Sequence, residues 1–426
     1  MNKEDISAGK ISKCIVNGTD ITRLVTALEY FESIYSPTAS CNITISDASG
    51  FHQKANLKGN EDVEIDFGNR NGSNIKMKFK TWKVTERTRV KENQDMYVLV
   101  CCSQEFITQN EKAIEKAYKN QKVSDMMKKF HEEYVKGTKT IKKDLVTNEE
   151  TKGNMNYTGT GLSPIPVIRW AAKEGYSAKA KASNYLYWQD RDGYHFKTVD
   201  SMLQGKSGDT LNYAHQNVPQ NSSPDKTIIA FHQQSDFDSL DSSFSGADSD
   251  HWYLWDPLTG KTAGGSKRSG SGSVNHTGKD TITPDKIETK RGEVFRMIVA
   301  PGYTAKDSKF IQSRSKTDIE TKRTLPEHGA NSSAALQLDN LIMNIRVPGN
   351  TKYKPGIKVK LNIPANQEEG TIDRRSGDYL ITSVRHVIFR DDKDLKYDCV
   401  LECKSDAHSK KSSGKSGVNA SGGVLV

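Results

Sequence analysis

The sequence predicts a mainly β protein with an α+β insertion between two β-rich parts. Alternating apolar and polar residues mark short strands in both parts, and Gly, Pro, Asn and Asp separate these strands. The central stretch instead places apolar residues at helical spacing. The clearest β region is residues 341–403, where strand-like runs follow one another with no room for helices. We expect an antiparallel meander there that closes into a small barrel or sandwich.

The composition is that of a large, loop-rich chain. The 426 residues are enough for about two to four domains, and 34% of them are hydrophobic. A chain that buries little within itself often buries more against partners. The net charge of +9 arises from 62 basic and 53 acidic residues spread along the sequence, which is typical of a solvated surface.

The cysteines and the N-terminus indicate where the chain assembles. None of the 6 cysteines forms a Cys-x-x-Cys pair, and Cys101 and Cys102 point to opposite faces of a strand. This usage favours assembly in a reducing cytoplasm. The first residues are polar and no run of 18 apolar residues occurs, so we expect neither a signal peptide nor a membrane-spanning helix.

Residues 1–105 are predicted to form a first β-barrel domain. The tight hairpin signal Asn17-Gly18 follows the first strand, and Asp47 ends the third strand, where its side chain can bond backbone donors of the next turn. The predicted strands are Lys10–Val16, Val25–Ser33, Ala39–Asp47, Asp62–Gly68, Ile75–Thr85 and Met96–Cys102.

Residues 106–204 are predicted to form an α/β insertion domain. A first helix has Ser124 as its N-cap and Gly137 as its stop, and a second begins near Pro164 and ends at Gly175. An aromatic hairpin follows, with strands around 184–188 and 194–198. The apolar stripe of the first helix consists of Val123, Met126, Met127, Phe130 and Tyr134.

Residues 205–405 are predicted to form a second β-barrel domain, and 406–426 a mobile C-terminal tail. The first 21 residues, 205–225, are read as a polar connector, and 261–279 as a flexible Gly/Ser-rich loop. Short helices are expected within 233–245 and 327–339. The predicted strands are Thr227–His232, Glu293–Ala300, Leu341–Val347, Gly356–Ile363, Tyr379–Phe389 and Asp398–Cys403.

Two apolar clusters are candidate interface residues. The run His251–Asp256 is the most aromatic in the chain, and it is read either as a core strand or as an anchor for a partner. The tail ends in three apolar residues that could dock on a neighbour. The candidates are Trp252, Tyr253, Trp255, Val424, Leu425 and Val426.

Three groups of motifs resemble the central hub protein of contractile-tailed bacteriophage baseplates, of the T-even type. The first is the order of turns and strands in 31–37, 41–51 and 58–63. The second is a Pro-started helix that ends at Gly175, followed by an aromatic strand and Arg-Asp-Gly-Tyr-His-Phe at 191–196. The third is Leu-Asn-Ile-Pro at 361–364, Ser-Gly-Asp-Tyr-Leu-Ile-Thr at 376–382 and then His386. The resemblance extends over nearly the whole chain.

The resemblance implies two tail-tube-like antiparallel β-barrels and a homotrimer. Its six barrels would adapt the sixfold tail tube to the threefold central spike and line a bore through which DNA passes transiently. Implied partners are the central spike, the first tail-tube ring, baseplate wedge proteins and the tape measure. The implied location is the virion tail baseplate, assembled in the host cytoplasm, without membrane insertion by the chain itself.

The sequence contains little that indicates chemistry. It lacks the common nucleophile, phosphate-binding and zinc-protease motifs, so we predict no catalytic residue, cofactor or metal and no enzyme. His251 with Asp248 and Asp250 is a weak metal candidate, and His386 is expected to be bonded inside a barrel. A tail-associated peptidoglycan hydrolase, which needs two carboxylates facing one cleft, is the alternative. A nucleic-acid-binding module, favoured by charge alone, is the third hypothesis.

Overall fold

The protein is mainly β, as the sequence predicts. The structure is a computed structural model, and the architecture below is that of the residues it describes. Within these residues, no helix is long and apolar enough to cross a membrane. The described residues are 7–70, 72–135, 144–180, 184–213, 224–236, 249–257, 260–269, 280–281, 294–299, 338–339, 341–364, 373–391 and 394–408.

The N-terminal strands match the prediction closely. Along β4, Cys41, Ile43 and Ile45 are buried and the residues between them are half-buried, which is the period-2 pattern of a strand with one core face. Short helix α1, Phe51–Ala55, follows β4. The strands are β1 Gly9–Val16, β2 Thr19–Asp20, β3 Val25–Ser33, β4 Ser40–Asp47, β5 Asp62–Asn69, β6 Asn74–Lys91 and β7 Gln94–Cys102.

Two local predictions about this region were tested. The Asp47 carboxylate accepts backbone N–H bonds from Ser49, Phe51 and His52, each at 3.0 Å, so it holds the turn after β4 as expected. Strand β6 runs six residues beyond its predicted end at Thr85, to Lys91. The register of the β6–β7 pair shifts at three places, and these bulges obscure the alternation in that stretch.

The insertion contains the predicted helices and the aromatic hairpin. Its elements are α2 Gln104–Thr108, β8 Ala117–Gln121, α3 Val123–Phe130, β9 Leu145–Asn148, β10 Met155–Thr158, α4 Pro164–Glu174, β11 Tyr185–Asp190, β12 Gly193–Thr198 and α5 Val199–Leu203. Val123, Met126, Met127 and Phe130 are buried in one core with residues of α4 and of the hairpin. A 3-10 turn, Gln109–Glu111, follows α2, and a π-helical turn, His131–Val135, continues α3.

The predicted helix ends were right for α4 and wrong for the start of α3. Pro164 begins α4, and the Gly175 N–H donates to the carbonyl of Ala171 at 3.0 Å. Lys122, not Ser124, occupies the N-cap position of α3. Ser124 is already helical and buried, and its N–H donates to Thr151 Oγ1 at 2.9 Å. Gly137 lies outside the described residues.

The remaining strands belong to the C-terminal part. Of the first four, β13 and β15 pair with strands from the end of the chain, and β14 joins the same sheet through β13. The strands are β13 Ser207–Tyr213, β14 Thr227–Ile228, β15 Ala230–Ser235, β16 Ser249–Asp256, β17 Lys261–Ser269, β18 Asp280–Thr281, β19 Val294–Val299, β20 Leu341–Pro348, β21 Lys358–Asn362, β22 Gly377–Asp391, β23 Asp394–Ser405 and β24 Ala407–His408.

Three predictions in this part were wrong. The polar connector contains β13, which buries Leu211 and pairs in parallel with β21. The predicted flexible loop begins with β17, which pairs with β16 despite its Gly/Ser content. Gln233–Ser235, expected to start a helix, continues β15, which pairs with β20. Residues 237–245 of that predicted helix, the segment 327–337 and residues 409–426 of the predicted tail lie outside the described residues. The first residues of the predicted tail are buried, and Ala407–His408 form β24, which pairs with β18.

The closing segment is not a simple meander. Strands β21, β22 and β23 pair antiparallel in sequence order, as predicted. Strand β20 pairs instead with β23 on one side and with β15 on the other. The four strands are therefore antiparallel, but the first of them lies at the far side of β23.

The N-terminal strands close into a barrel only with two strands from the C-terminal part. The pairing runs β22–β3–β4–β7–β6–β5–β1, each pair antiparallel. Strand β23 pairs with β22, and a bridge from Ala8 to Lys396 joins the start of β1 to β23. One continuous core fills this ring and extends to β13, β20 and β21. The second predicted barrel extends over many residues outside the described part, so it stays a prediction.

Candidate assembly interface

The aromatic hairpin of the insertion docks where the two β parts meet. Trp188 on β11 and Val199, Met202 and Leu203 around α5 share a small core with Ile34, Leu338 and Leu380. These residues come from the insertion, the N-terminal strands and the C-terminal part. We call this cluster the junction core. It joins all three parts of the chain through apolar contacts.

A buried ion pair reinforces the junction core. The Arg191 guanidinium lies 3.3 Å from Glu32 Oε2 and also donates to the backbone carbonyls of Thr351 and Tyr353. The backbone N–H of Arg191 donates to Glu32 Oε1 at 2.8 Å, and Tyr30 OH donates to the same oxygen at 2.7 Å. One arginine therefore connects the hairpin turn to β3 and to the loop before β21.

Glu32 and Arg191 are both largely enclosed, and we call this buried ion pair the clamp. The Glu32 side chain is 0% exposed and that of Arg191 is 12% exposed. Burial raises the pKa of Glu32, and the Arg191 charge opposes that shift. An unpaired charge in this place would be costly, so each partner depends on the other. Sequence reasoning missed this contact because the two residues lie 159 positions apart.

The hairpin turn is held by a second polar group. Asp190 Oδ1 accepts the N–H groups of Asp192 at 2.8 Å and Gly193 at 3.2 Å, and Oδ2 lies 2.9 Å from His195 Nε2. Burial alone would raise the pKa of Asp190, but the bonds from His195 and Asp192 lower it overall. This arrangement fixes the turn that carries Arg191.

His386 is bonded inside the barrel, as predicted. Its Nδ1 lies 2.7 Å from Tyr397 OH and 3.2 Å from Cys399 Sγ. Burial lowers the pKa of His386 well below its ordinary value and raises the pKa of the Cys399 thiol to about 12. The thiol is therefore protonated and enclosed, so this pair is not an activated cysteine nucleophile.

One cleft of the described part brings three carboxylates together, and lysines hold one of them in its charged form. A cleft of about 590 Å³ is lined by Glu64 and Asp66 on β5 and by Asp192. Bonds from Lys13 and Lys78 lower the pKa of Glu64 to about 2, whereas a general acid needs a raised pKa. Glu133 is paired with Lys116 at 3.0 Å. Within the described part of the chain, no group of three or more His, Cys, Asp or Glu residues could hold a metal ion.

The predicted interface residues are only partly placed. Trp252 and Tyr253 lie on β16, but their side chains are outside the described residues, as are Val424, Leu425 and Val426. Trp255, on the same strand, is 37% exposed. The metal candidate of His251 with Asp248 and Asp250 also falls outside the described side chains.

Sequence reasoning missed an exposed aromatic pair on the barrel. Trp82 on β6 is 59% exposed, and its ring centroid lies 6.2 Å from that of Phe106 on α2, which is 37% exposed. The signal was present in the sequence. Ile75, Met77 and Phe79 alternate into the core, so Trp82 falls on the outer face. Exposed aromatic residues of this size commonly anchor protein partners.

Comparison with known proteins shows the fold. No protein-family model matches the sequence, and no curated protein is significantly similar to it. A tail protein from Neisseria meningitidis MC58 is similar in structure over 94% of this chain and 97% of its own, with 12% identity and a TM-score of 0.57. The 43 kDa tail protein of prophage MuSo2 from Shewanella oneidensis is similar over 94% of this chain and 100% of its own, with 12% identity and a TM-score of 0.54. The chain therefore shares its overall fold with two tail proteins.

Proposed function

We propose that this chain is a structural component of a contractile phage tail and acts as its baseplate hub. The observation that carries the proposal is the structural similarity to two tail proteins over nearly the full length of all three chains. The hub motifs in the sequence support the same assignment independently of that similarity. The protein works by geometry and not by catalysis.

The proposed hub is a homotrimer with two barrels in each chain. Six barrels around one axis match the sixfold tail tube on one side, and three chains match the threefold spike on the other. Such an adaptor must hold its parts in a fixed relation. The shared strands β22 and β23, the junction core and the clamp of Glu32 with Arg191 supply that rigidity.

The proposal includes the partners and the location. The hub binds the central spike, the first tail-tube ring, wedge proteins and the tape measure, and DNA passes through its bore. It resides in the virion baseplate after assembly in the host cytoplasm. The division of the chain at residues 105 and 204 belongs to this proposal, with β22 and β23 of the third segment completing the barrel of the first. The interface roles of Trp252, Tyr253, Trp255 and the apolar C-terminal residues belong to it as well.

Mass photometry of the purified chain, alone and mixed with a candidate spike protein, tests the hub assignment. We expect a trimer or a three-to-three complex with the spike. A strict monomer that binds neither spike nor tube protein would contradict it. Peptidoglycan turnover that disappears with a single carboxylate substitution would favour the hydrolase instead. Salt-sensitive DNA binding by that monomer would favour the nucleic-acid module.

A further inference from the structure

Strand β6 is longer than its neighbour β7, and part of it pairs on one side only. Residues Asn74–Phe79 pair with β5. Pairing with β7 begins only at Lys80, opposite Cys102, which is the last residue of β7. Among the residues that the structure describes, no second strand lies beside Asn74–Phe79. We call this stretch the open edge of β6. Alternate N–H and C=O groups of such an edge point away from the sheet.

The cleft of about 590 Å³ borders the open edge. Its lining contains consecutive residues of β6, from Asn74 to Lys78, so residues of both faces of this strand reach it. Arg191 and Asp192 of the hairpin turn line the cleft as well. Both already have partners, since Arg191 belongs to the clamp and Asp192 pairs with Lys354 at 2.8 Å. The volume lies within the range of protein clefts that bind ligands.

Apolar and basic side chains alternate along the open edge. Ile75, Met77 and Phe79 are buried in the core, and Lys76 and Lys78 between them are exposed. A strand added to this edge brings its own side chains opposite these residues in the same alternation. Its residues on one face would extend the barrel core, and those on the other face would lie opposite lysines.

The lysines beside the cleft are not fully neutralised within the chain. Lys78 and Lys13 share one carboxylate, that of Glu64, at 2.8 Å and 2.7 Å. Lys76 lies 3.6 Å from Asp66, and the Lys76 side chain is 76% exposed. Three lysines therefore face two carboxylates, and one positive charge remains. An acidic side chain opposite Lys76 or Lys78 is attracted, whereas a basic one is repelled.

We infer that the open edge of β6 binds an extended segment of a partner protein, in which apolar side chains alternate with acidic ones. An extended backbone satisfies a row of alternate N–H and C=O groups, and strand addition is a common mode of peptide recognition. A second copy of the open edge does not fit, because its pairing would place lysines opposite lysines. The inference goes beyond the proposed function and does not depend on the hub assignment.

Fluorescence anisotropy of a labelled peptide mixed with the full chain tests this edge. The probe is a peptide of about seven residues in which valine and glutamate alternate, and we expect a Kd below about 1 mM. The same peptide with methylated backbone nitrogens lacks the N–H donors, so it should bind about tenfold or more weakly. A peptide with lysine in place of glutamate should also bind more weakly, because its charges repel Lys76 and Lys78.

Two variants of the chain give a matched comparison at low salt. Lys76→Glu should weaken binding of the glutamate peptide about fivefold or more. Lys10→Glu makes the same change at an exposed position of β1 outside the cleft lining, and it should leave binding unchanged. Circular dichroism should show both variants folded. Hydrogen exchange should show that the peptide protects amides of Asn74–Phe79.

Four results would overturn the inference. They are no binding of the glutamate peptide at about 1 mM, equal binding of the methylated peptide, equal binding of the lysine peptide, and open-edge amides that are already fully protected without peptide. The last result would mean that another segment of this chain covers the edge. None of them concerns the trimer or the complex with the spike, so the hub assignment stands or falls separately.

Discussion

At the scale of single residues, the protein contains two kinds of ion pair. Some are buried and connect distant parts of the chain, and others lie on the surface. The Glu32 and Arg191 pair is buried and connects elements far apart in sequence. The Glu64 pairs lie within one sheet, and the Glu64 side chain is 33% exposed. Solvent screens the second kind, so the two kinds should respond differently to substitution and to pH.

Arg191→Ala should strongly destabilise the protein. The substitution leaves the Glu32 charge buried without its partner, and such losses cost about 3–5 kcal/mol. Urea unfolding of the variant measures the loss. Arg169→Ala, at an exposed position of α4, is the control and should change stability by less than about 0.5 kcal/mol. Equal effects of the two substitutions would show that the clamp is dispensable.

Glu64 should make the stability depend on pH in the acid range. Bonds from Lys13 and Lys78 lower its pKa from 4.5 to about 2 in the folded chain. A lowered pKa contributes stability that is complete above pH 4.5 and is lost as pH falls toward 2. When the pH is lowered from 4.5 to 2, the melting temperature should therefore fall more steeply for the wild type than for Glu64→Gln. Parallel curves for the two proteins would contradict this assignment.

At the scale of elements, the junction core depends on how closely the loop before β21 approaches the aromatic hairpin. Gly356 has a φ of +85°, and a Cβ built there would lie 3.1 Å from both Met202 Sδ and Trp188 Cζ2. A residue with a side chain would meet both a backbone penalty and a packed neighbour. The loop therefore requires glycine for two separate reasons.

Gly356→Ala should reveal both effects when it is compared with Gly18→Ala. Gly18 has a similar φ of +80° but no atom within 4 Å of the built Cβ, so its substitution adds backbone strain alone. We expect Gly18→Ala to cost about 1–2 kcal/mol and Gly356→Ala to cost more. Thermal or urea unfolding measures both. An equal loss in the two variants would mean that the junction relaxes around the added methyl group.

At the scale of the whole molecule, the barrel is a product of both ends of the chain. Six of its strands come from residues 9–102, and β22 and β23 close the ring from residues 377–405. Without those two strands, β3 and β1 would present unpaired edges and part of the core would be open. The insertion then lies between two chain segments that fold together.

A fragment of residues 1–105 should therefore fail to fold cooperatively. A fusion of the same fragment to residues 373–408 through a Gly/Ser linker should regain a cooperative unfolding transition, because it restores β22 and β23. Near-ultraviolet circular dichroism and urea unfolding compare the two. Cooperative folding of the shorter fragment would contradict this prediction and show that residues 1–105 close a barrel with their own strands.

The sequence by itself determined the mainly β class, most strand positions and the start of α4. These features depend on local signals: period-2 burial along β4, Pro164 at a helix start and paired aromatic strands around a turn. The hub resemblance also came from motifs within short stretches. Local signals failed where Gly, Ser and polar residues form strands, as in β13 and β17, because their pairing partners supply the stability.

Only the tertiary structure decided which distant segments meet. No local pattern specifies that β22 pairs with β3, that Lys396 bridges to Ala8, or that Glu32 finds Arg191. Such contacts depend on the total burial and pairing of the folded chain, in which each segment selects its partner among many similar strands. The register likewise places outward residues from separate strands side by side, such as Asn42 on β4 and Val100 on β7.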